Sequence, residues 1–464
     1  DVYKRQMKRS YLYITLLLTA FTLGSCKIGK SYVRPDLNLP DSLAQHQDTL
    51  SFGDREWWQI YTDSTLRSLI DRALEHNKDM LIAAARVKEM AAQKRISTAN
   101  LLPDIKGTVT AERENENHGG DAFKRSDTFE AQLLFSWELD LWGNLRWARS
   151  ASIAEYLQSV EAQRALRMTI AAEVAQAYYE LVALDTELDI VRQTLKAREE
   201  GMRLARIRFE GGLTSETSYR QSQVELARTA TLVPDLERKI SLKENDIAFL
   251  AGEYPNKITR SRLLQEFNFP QELPVGLPSG LLERRPDIRQ AEQKLIAANA
   301  RVGVAYTNMF PRISLTGRVG SESTALSELL KSPYSIMEGA LLTPIFGWGK
   351  NRAALKAKKA AYEAEVHSYE KSVLTAFKET RNAIVNFNKI KEVYDLRAKL
   401  ERSAKSYVDL AQLQYINGVT NYLDVLDAQR GYFDAQIGLS NAMRDELIAV
   451  VQVYKALGGG WQIK

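Results

Sequence analysis

The chain has 464 residues, 45% of them hydrophobic, and a formal net charge of +5 from 63 Lys and Arg against 58 Asp and Glu. That composition describes an ordered chain able to bury a sizeable core, and its basic and acidic residues alternate instead of gathering in a patch, which excludes a nucleic-acid footprint. A single cysteine excludes an intrachain disulfide and a thiolate zinc cluster, and the four histidines, His46, His76, His118 and His367, lack metal-ligand spacing.

Residues 1–25 read as a pre-sequence and secretory signal: Met7-Lys8-Arg9 is a positive n-region, Tyr11 to Leu23 an apolar run, and small residues precede Cys26. At about 1.5 Å per residue the run is too short to cross a bilayer core of about 30 Å comfortably. Leu23-Gly24-Ser25-Cys26 resembles a bacterial lipobox, which implies a diacylglyceryl group on Cys26, and Lys27 stands where inner-membrane lipoproteins often carry Asp. By that resemblance the destination is the outer membrane, with Cys26 as the lipid attachment site. Residues 26–76 form a polar, Pro-containing lead-in followed by a short helix.

From there the chain is written twice. Phe209-Glu210-Gly211-Gly212-Leu213-Thr214 matches Tyr415-Ile416-Asn417-Gly418-Val419-Thr420 at an offset of 206, which also carries Trp142-Gly143 onto Trp348-Gly349. At an offset of 208, Asp79 falls on Asp287 and Leu102-Pro103 on Phe310-Pro311. This gives repeat 1 over 77–253, an irregular Pro-rich connector over 254–285, repeat 2 over 286–458, and a tail over 459–464.

Each repeat begins with an Ala-rich helix that runs into a Pro, 77–101 and 286–309, after which the hydrophobic period changes from 3.6 to 2. Phe129, Ala131, Leu133, Phe135, Trp137 and Leu139 alternate with Glu130, Gln132, Ser136 and Glu138, with Leu134 the exception, so this strand has one greasy and one wet face. Ile105 and Val109, and then Ile313, Leu315 and Val319, repeat the scheme, predicting β-hairpins over 104–140 and 311–346. Long helices follow over 142–210 and 350–416, each about 100 Å if unbroken. After short Gly-containing turns come return helices over 215–252 and 421–457, with Pro234 expected to kink or divide the first. The alanine-rich apolar spacing suits coiled-coil packing.

Four strands of about ten residues cannot close a membrane barrel, since the smallest use about eight, whereas three chains supply twelve. Cyclic symmetry is the usual way to achieve that closure. The sequence therefore predicts a mainly α, internally duplicated chain with long antiparallel helices, whose four strands contribute to a trimeric twelve-stranded barrel. No P-loop, dinucleotide-binding turn or nucleophile elbow is present, so neither an enzyme nor a cofactor is expected.

The tract Gly276-Leu277-Pro278-Ser279-Gly280-Leu281-Leu282-Glu283-Arg284-Arg285-Pro286-Asp287-Ile288-Arg289-Gln290-Ala291-Glu292, continued by Ala297 to Gly303 and Phe310-Pro311, resembles the hallmark of NodT-type, TolC-like outer-membrane efflux lipoproteins. Gly280 stands where an acidic residue is common in that family. The resemblance implies a homotrimer in outer-membrane lipid with an α-barrel in the periplasm, a passive exit duct fed by an inner-membrane RND-type pump through a periplasmic adaptor, or membrane fusion protein. Alternatives are a duct for type I protein secretion, a periplasmic coiled-coil scaffold lipoprotein, and a lipid-anchored surface enzyme. Within the tract, Pro286 suits the first turn of a helix and Asp287 its dipole, a structural role.

Two sets of residues are candidates for controlling passage. The turns carrying Gly212, Leu213 and Thr214, and Gly418, Val419 and Thr420, are expected at the rod tips, where the resemblance implies adaptor docking. Asp424 and Asp427 lie three residues apart on one helix face, opposite Ser218 and Gln221 in the first copy. By themselves they read as solvated acids near a helix N-terminus; the matching Asp-x-x-Asp of TolC-like proteins implies a cation-attracting aperture gate.

Overall fold

Every helix of the second copy has the length of its counterpart in the first. The computed structural model describes residues 27–37, 39, 51–116, 119, 124–267, 273–274, 276 and 278–462. The signal segment, Cys26 and residues 38 and 40–50 of the lead-in lie outside the described residues. Helix α1 spans Ser64–His76, α2 Lys78–Ala99, α3 Asn144–Glu210, α4 Glu216–Leu250, α5 Pro278–Arg284, α6 Pro286–Thr307, α7 Lys350–Ile416 and α8 Tyr422–Ala456. The pairs α2 and α6, α3 and α7, and α4 and α8 have 22, 67 and 35 residues respectively. Strands β1 Asp104–Glu116, β2 Lys124–Leu139, β3 Arg312–Ser323 and β4 Pro333–Leu342 form one antiparallel sheet in that order. Among the described residues no helix is long and apolar enough to cross a membrane.

The chain divides into two compact units. The first holds Arg86–Val160, Gln290–Glu370 and the N-terminal stretch to Leu37, and so contains the whole sheet. β2 and β3 join the two repeats, from Phe129 opposite Ser323 to Leu139 opposite Ile313. A strap of residues 27–34 is fastened along the helices of this unit: Ile28 N donates to Trp142 O at 3.2 Å, and Trp147 Nε1 donates back to Ile28 O at 2.8 Å. Arg34 grips Glu292 through two hydrogen bonds of 2.7 and 2.8 Å, and Tyr32 donates to the same carboxylate at 3.1 Å. α6 crosses α3 closely because position 303 is Gly; an added Cβ would overlap the Trp147 indole.

The second unit contains Glu161–Arg289, Lys371–Lys464 and the segment ending at Ala85. Its core gathers Trp57, Tyr61, Leu66 and Leu69 with Tyr178 and Leu181 of α3, Ile247 of α4 and Tyr454 of α8, all nearly inaccessible. The Pro-rich connector is anchored here by Arg260, which binds Asp185 at 2.6 Å and Glu244 at 2.6 Å. The hallmark tract is held by ion pairs: Arg284 to Asp54 at 3.0 Å, and Arg285 to both Asp287 and Glu379 at 2.6 Å.

The structure corrects three local expectations. Pro234 sits inside α4 without dividing it. The expected irregular connector contains α5 and a 3-10 turn at Leu264–Glu266. β4 ends at Leu342, four residues short of the expected limit.

Candidate functional site

An unbroken register gives all four strands two common faces. Gly107, Leu133, Val319 and Ser335 lie side by side across the sheet, as do Ile105, Phe135, Gly317 and Met337, and then Leu139, Ile313 and Leu341. From Val109 to Leu341 this face is mainly apolar and uncovered in the single chain, with Val109 81% and Met337 83% exposed, and beyond Ala111 it turns polar with the Arg113–Asp127 ion pair. The opposite face aligns Thr108, Gln132, Gly320 and Tyr334, then Ser136, Thr316 and Glu338, and carries Lys106, Glu130 and Arg318. Tyr334 donates its hydroxyl to Glu130 there. Leu134 falls on this polar face beside Arg318, which in turn lies opposite Ile336. One greasy and one hydrophilic face match a sheet with lipid on one side and water on the other, and β1 and β4 leave an edge each unpaired among the described residues.

The two rod tips are the same turn built twice. Gly212 and Gly418 have φ of +72° and +75°, with open space around both. Leu213 N donates to Arg208 O at 2.8 Å and Val419 N to Gln414 O at 2.9 Å, satisfying carbonyls left free at the helix ends. Leu213 and Val419 are each 73% exposed. The return helices are not capped by the threonines: Ser215 is the N-cap of α4 and makes no side-chain cap bond, and Asn421 caps α8 by accepting from Asp424 N at 3.1 Å. Thr214 and Thr420 each lie one residue earlier.

Asp424 and Asp427 differ in their engagement. Asp424 is half-buried and accepts from the Thr420 hydroxyl, so part of its role is to fix the tip. Asp427 is exposed, one turn before Arg430. Arg430 leads to a group that the sequence reading missed. Glu225 of α4, 2% exposed, pairs with Arg198 of α3 at 3.1 Å and with Arg430 of α8 at 2.6 Å, and Arg228 reaches it at 3.3 Å. Burial would push the Glu225 carboxyl up, but the Arg430 hydrogen bond with the charges of Arg198, Arg430 and Arg228 holds it below its ordinary value. Arg198 also donates to the Glu225 carbonyl at 3.0 Å and to Thr229 Oγ1. Aligning the repeats would have flagged it, since Arg198 and Glu225 fall on Ala404 and Gly431 at the offset of 206.

Glu446 of α8 is a second buried acid, 2% exposed, with Oε2 lacking a hydrogen-bond partner among the described residues. Burial chiefly, and Asp395, raise it to about 7 against the opposing charge of Lys391. Among the described residues no group of three or more His, Cys, Asp or Glu could hold a metal ion. Cys26 lies outside the described residues.

Known proteins resemble the chain along its length. The model of the outer membrane efflux protein family matches residues 69–253 and 277–459, one segment for each repeat. Outer membrane protein OprJ of Pseudomonas aeruginosa is 33% identical over 472 residues, covering 98% of this chain and 97% of that protein. The toluene efflux pump outer membrane protein TtgC of Pseudomonas putida is 30% identical over 461 residues, covering 97% and 95%. The solved structure of the outer-membrane channel OprN superposes with a TM-score of 0.88 at 28% identity, over 94% of this chain and 100% of that one. A two-faced strand sheet, paired helical rods and these matches together place the chain in the outer membrane efflux protein family, as an outer-membrane efflux channel that extends into the periplasm.

Proposed function

We propose that three copies close a twelve-stranded barrel, with the β4 edge of one chain meeting the β1 edge of the next, and that the trimer is the passive exit duct of a tripartite pump. The energy comes from an inner-membrane RND-type pump, and a periplasmic adaptor docks on the tips at Gly212, Leu213, Thr214, Gly418, Val419 and Thr420. Asp424 and Asp427 of three chains ring the periplasmic aperture, and a diacylglyceryl group on Cys26 adds a lipid anchor. The duct itself performs no catalysis.

The observation that carries this reading is the four-stranded sheet, whose apolar face is uncovered and whose outer strands each leave an edge unpaired. Within a bilayer an unpaired edge costs several kcal/mol for each unsatisfied backbone group, so closure is obligatory, and four strands are too few to close alone. The test is the mass of the detergent-solubilised full chain together with its ion conductance in planar bilayers. Trimers that conduct support the duct; folded monomers that do not conduct would sink it. Adaptor docking is tested separately by Leu213→Asp and Val419→Asp, which should weaken adaptor capture while leaving conductance intact.

A further inference from the structure

Charge is spread along the water face of the sheet but confined to one end of the lipid face. The water face carries Glu138, Asp104, Glu338, Lys106, Arg318 and Glu130 at successive levels. On the lipid face, among the described residues, the charged side chains are Arg113, Arg125 and Asp127, all beyond the Ala111–Phe129 pair. The helices join the strands at the other end, where Asp104, Leu139, Arg312 and Leu342 stand. Because the channel extends into the periplasm through those helices, the three charges mark its outward end.

Strand geometry gives their depth. From Leu139 to Phe129 the apolar face advances ten residues, about 33 Å along the strand and about 25 Å along the membrane normal at a tilt of about 40°. That is the height of a barrel's apolar band, and Trp137 and Phe129 stand near its two borders, where aromatic girdles lie. The Arg113–Asp127 pair is two residues further out, roughly 5 Å beyond the band and so among the outer-leaflet headgroups. Arg125, two residues beyond that, reaches back to the same carboxylate at 3.3 Å, while Arg113 holds it through two hydrogen bonds of 2.6 and 3.3 Å. The two arginine side chains are 58% and 55% exposed, and the trio keeps one net positive charge. Pairing at the β1 edge uses backbone groups in the plane of the sheet and leaves this face outward, and Arg125 and Asp127 belong to β2, an interior strand.

We infer that Arg113 and Arg125 bind the phosphate of a phosphorylated lipid in the outer leaflet. The inference rests on the outer-membrane placement of the sheet. In open water such an exposed trio contributes little, whereas at headgroup depth the same cations face fixed phosphates, and basic residues beside a membrane segment attract anionic lipid. The planar fork of a guanidinium matches phosphate oxygens, which a point charge does not. Asp127 has a separate role: it holds side by side two like charges that would repel one another, so that both meet one phosphate. The acyl chains lie on the apolar rows directly below, those of Val109 and Leu133 among them. A second copy is a poorer occupant, because the strand that would flank β1 is β4, whose residues on this face, Pro333, Ser335 and Met337 at its outward half, are uncharged.

The experiment uses the full chain, purified in detergent as its native oligomer and re-supplied with diphosphorylated lipid A or its dephosphorylated form, with bound lipid counted by native mass spectrometry. The wild type should retain the diphosphorylated lipid in preference, and Arg113→Gln/Arg125→Gln should lower that retention roughly tenfold or more while leaving the dephosphorylated form unchanged. Arg125→Gln alone, which keeps the Arg113–Asp127 pair and so tests the inference should the double variant misassemble, should lower it about threefold. Lys106→Gln/Arg318→Gln removes the same charge from the water face of the same strands and should leave retention as it is. Equal retention by wild type and both arginine variants would overturn the site. So would an equal loss in the water-face variant, which would mean a response to net charge alone, and so would displacement of the lipid by millimolar inorganic phosphate, which would mean a soluble-anion site. Conductance of the same preparations separates this inference from the duct, because a conducting oligomer without preference for the phosphorylated lipid rejects the lipid site alone.

Discussion

Removing Glu225 should cost far more than removing Arg430 or Arg228, the two more exposed cations around it. Glu225→Ala strands the Arg198 guanidinium, 8% exposed, with the Thr229 hydroxyl, a backbone carbonyl and the Phe433 ring 5.8 Å away but no opposite charge recorded against it. Breaking a buried pair by deleting one partner typically costs about 3–5 kcal/mol, and because those neutral contacts remain the expected cost is about 3 kcal/mol. Arg430→Ala leaves the Arg198–Glu225 pair in place and removes a side chain that is 42% exposed, so about 1 kcal/mol is expected after solvent screening. Arg228, 66% exposed, should contribute within about 0.5 kcal/mol. The assay is amide hydrogen exchange on the purified oligomer, read over the stretches of α3 and α4 that flank Arg198 and Glu225, where opening is local. A cost of about 3 kcal/mol corresponds to a protection factor lower by roughly two orders of magnitude in Glu225→Ala, against about fivefold in Arg430→Ala. Equal losses in all three variants, or a larger loss in Arg228→Ala than in Glu225→Ala, would refute the argument.

Three further outcomes are expected. Gly303→Ala should lower stability by about 1–3 kcal/mol, because the new methyl overlaps the Trp147 indole; thermal unfolding measures it, and Gly431→Ala, whose surroundings are open, is the control. Glu446, raised to about 7, keeps in the folded state a proton that the unfolded chain releases near its ordinary value of 4.5, so stability should fall as pH rises between those values and stay low above them. Glu446→Gln should abolish that decline, worth at most about 3 kcal/mol, and a wild-type melting temperature that is flat across the window would contradict it. Asp424→Ala/Asp427→Ala should weaken block by a trivalent cation added at the periplasmic mouth in single-channel recordings, with stability changed by roughly 0.5 kcal/mol for the exposed Asp427 and more for Asp424, which braces the tip through Thr420. An unchanged blocking constant in intact trimers would leave both as helix-terminal acids.

The sequence made the two-faced strands legible because a period of two survives wherever one face meets lipid and the other water; Leu134 was a true exception, lying on the polar face. The rods were legible from their period and from Pro103 and Pro311, which stop the helices preceding them. Pro234 misled because an isolated proline argues for a break, and only the packing of α4 shows the helix passing through it. The Arg198, Glu225 and Arg430 cluster was hidden for another reason: on a helix of alternating charge, a buried carboxylate looks like any solvated one until its neighbours from other helices are known. The same limit applies to Trp142 and Trp348, which share a Trp-Gly signature yet are docked in one repeat and bare in the other.

The open edges of β1 and β4 also have a genetic consequence. A sheet completed only by other copies makes each chain answerable for its neighbours, so a variant that folds but carries a damaged edge enters assemblies and spoils them. With equal amounts of normal and damaged chain and random mixing, only about one eighth of trimers would be free of the damaged kind. A proline placed within β4, where Gly339 lies opposite Leu315, should therefore behave as a dominant lesion when co-expressed with the normal gene, whereas loss of expression should be recessive.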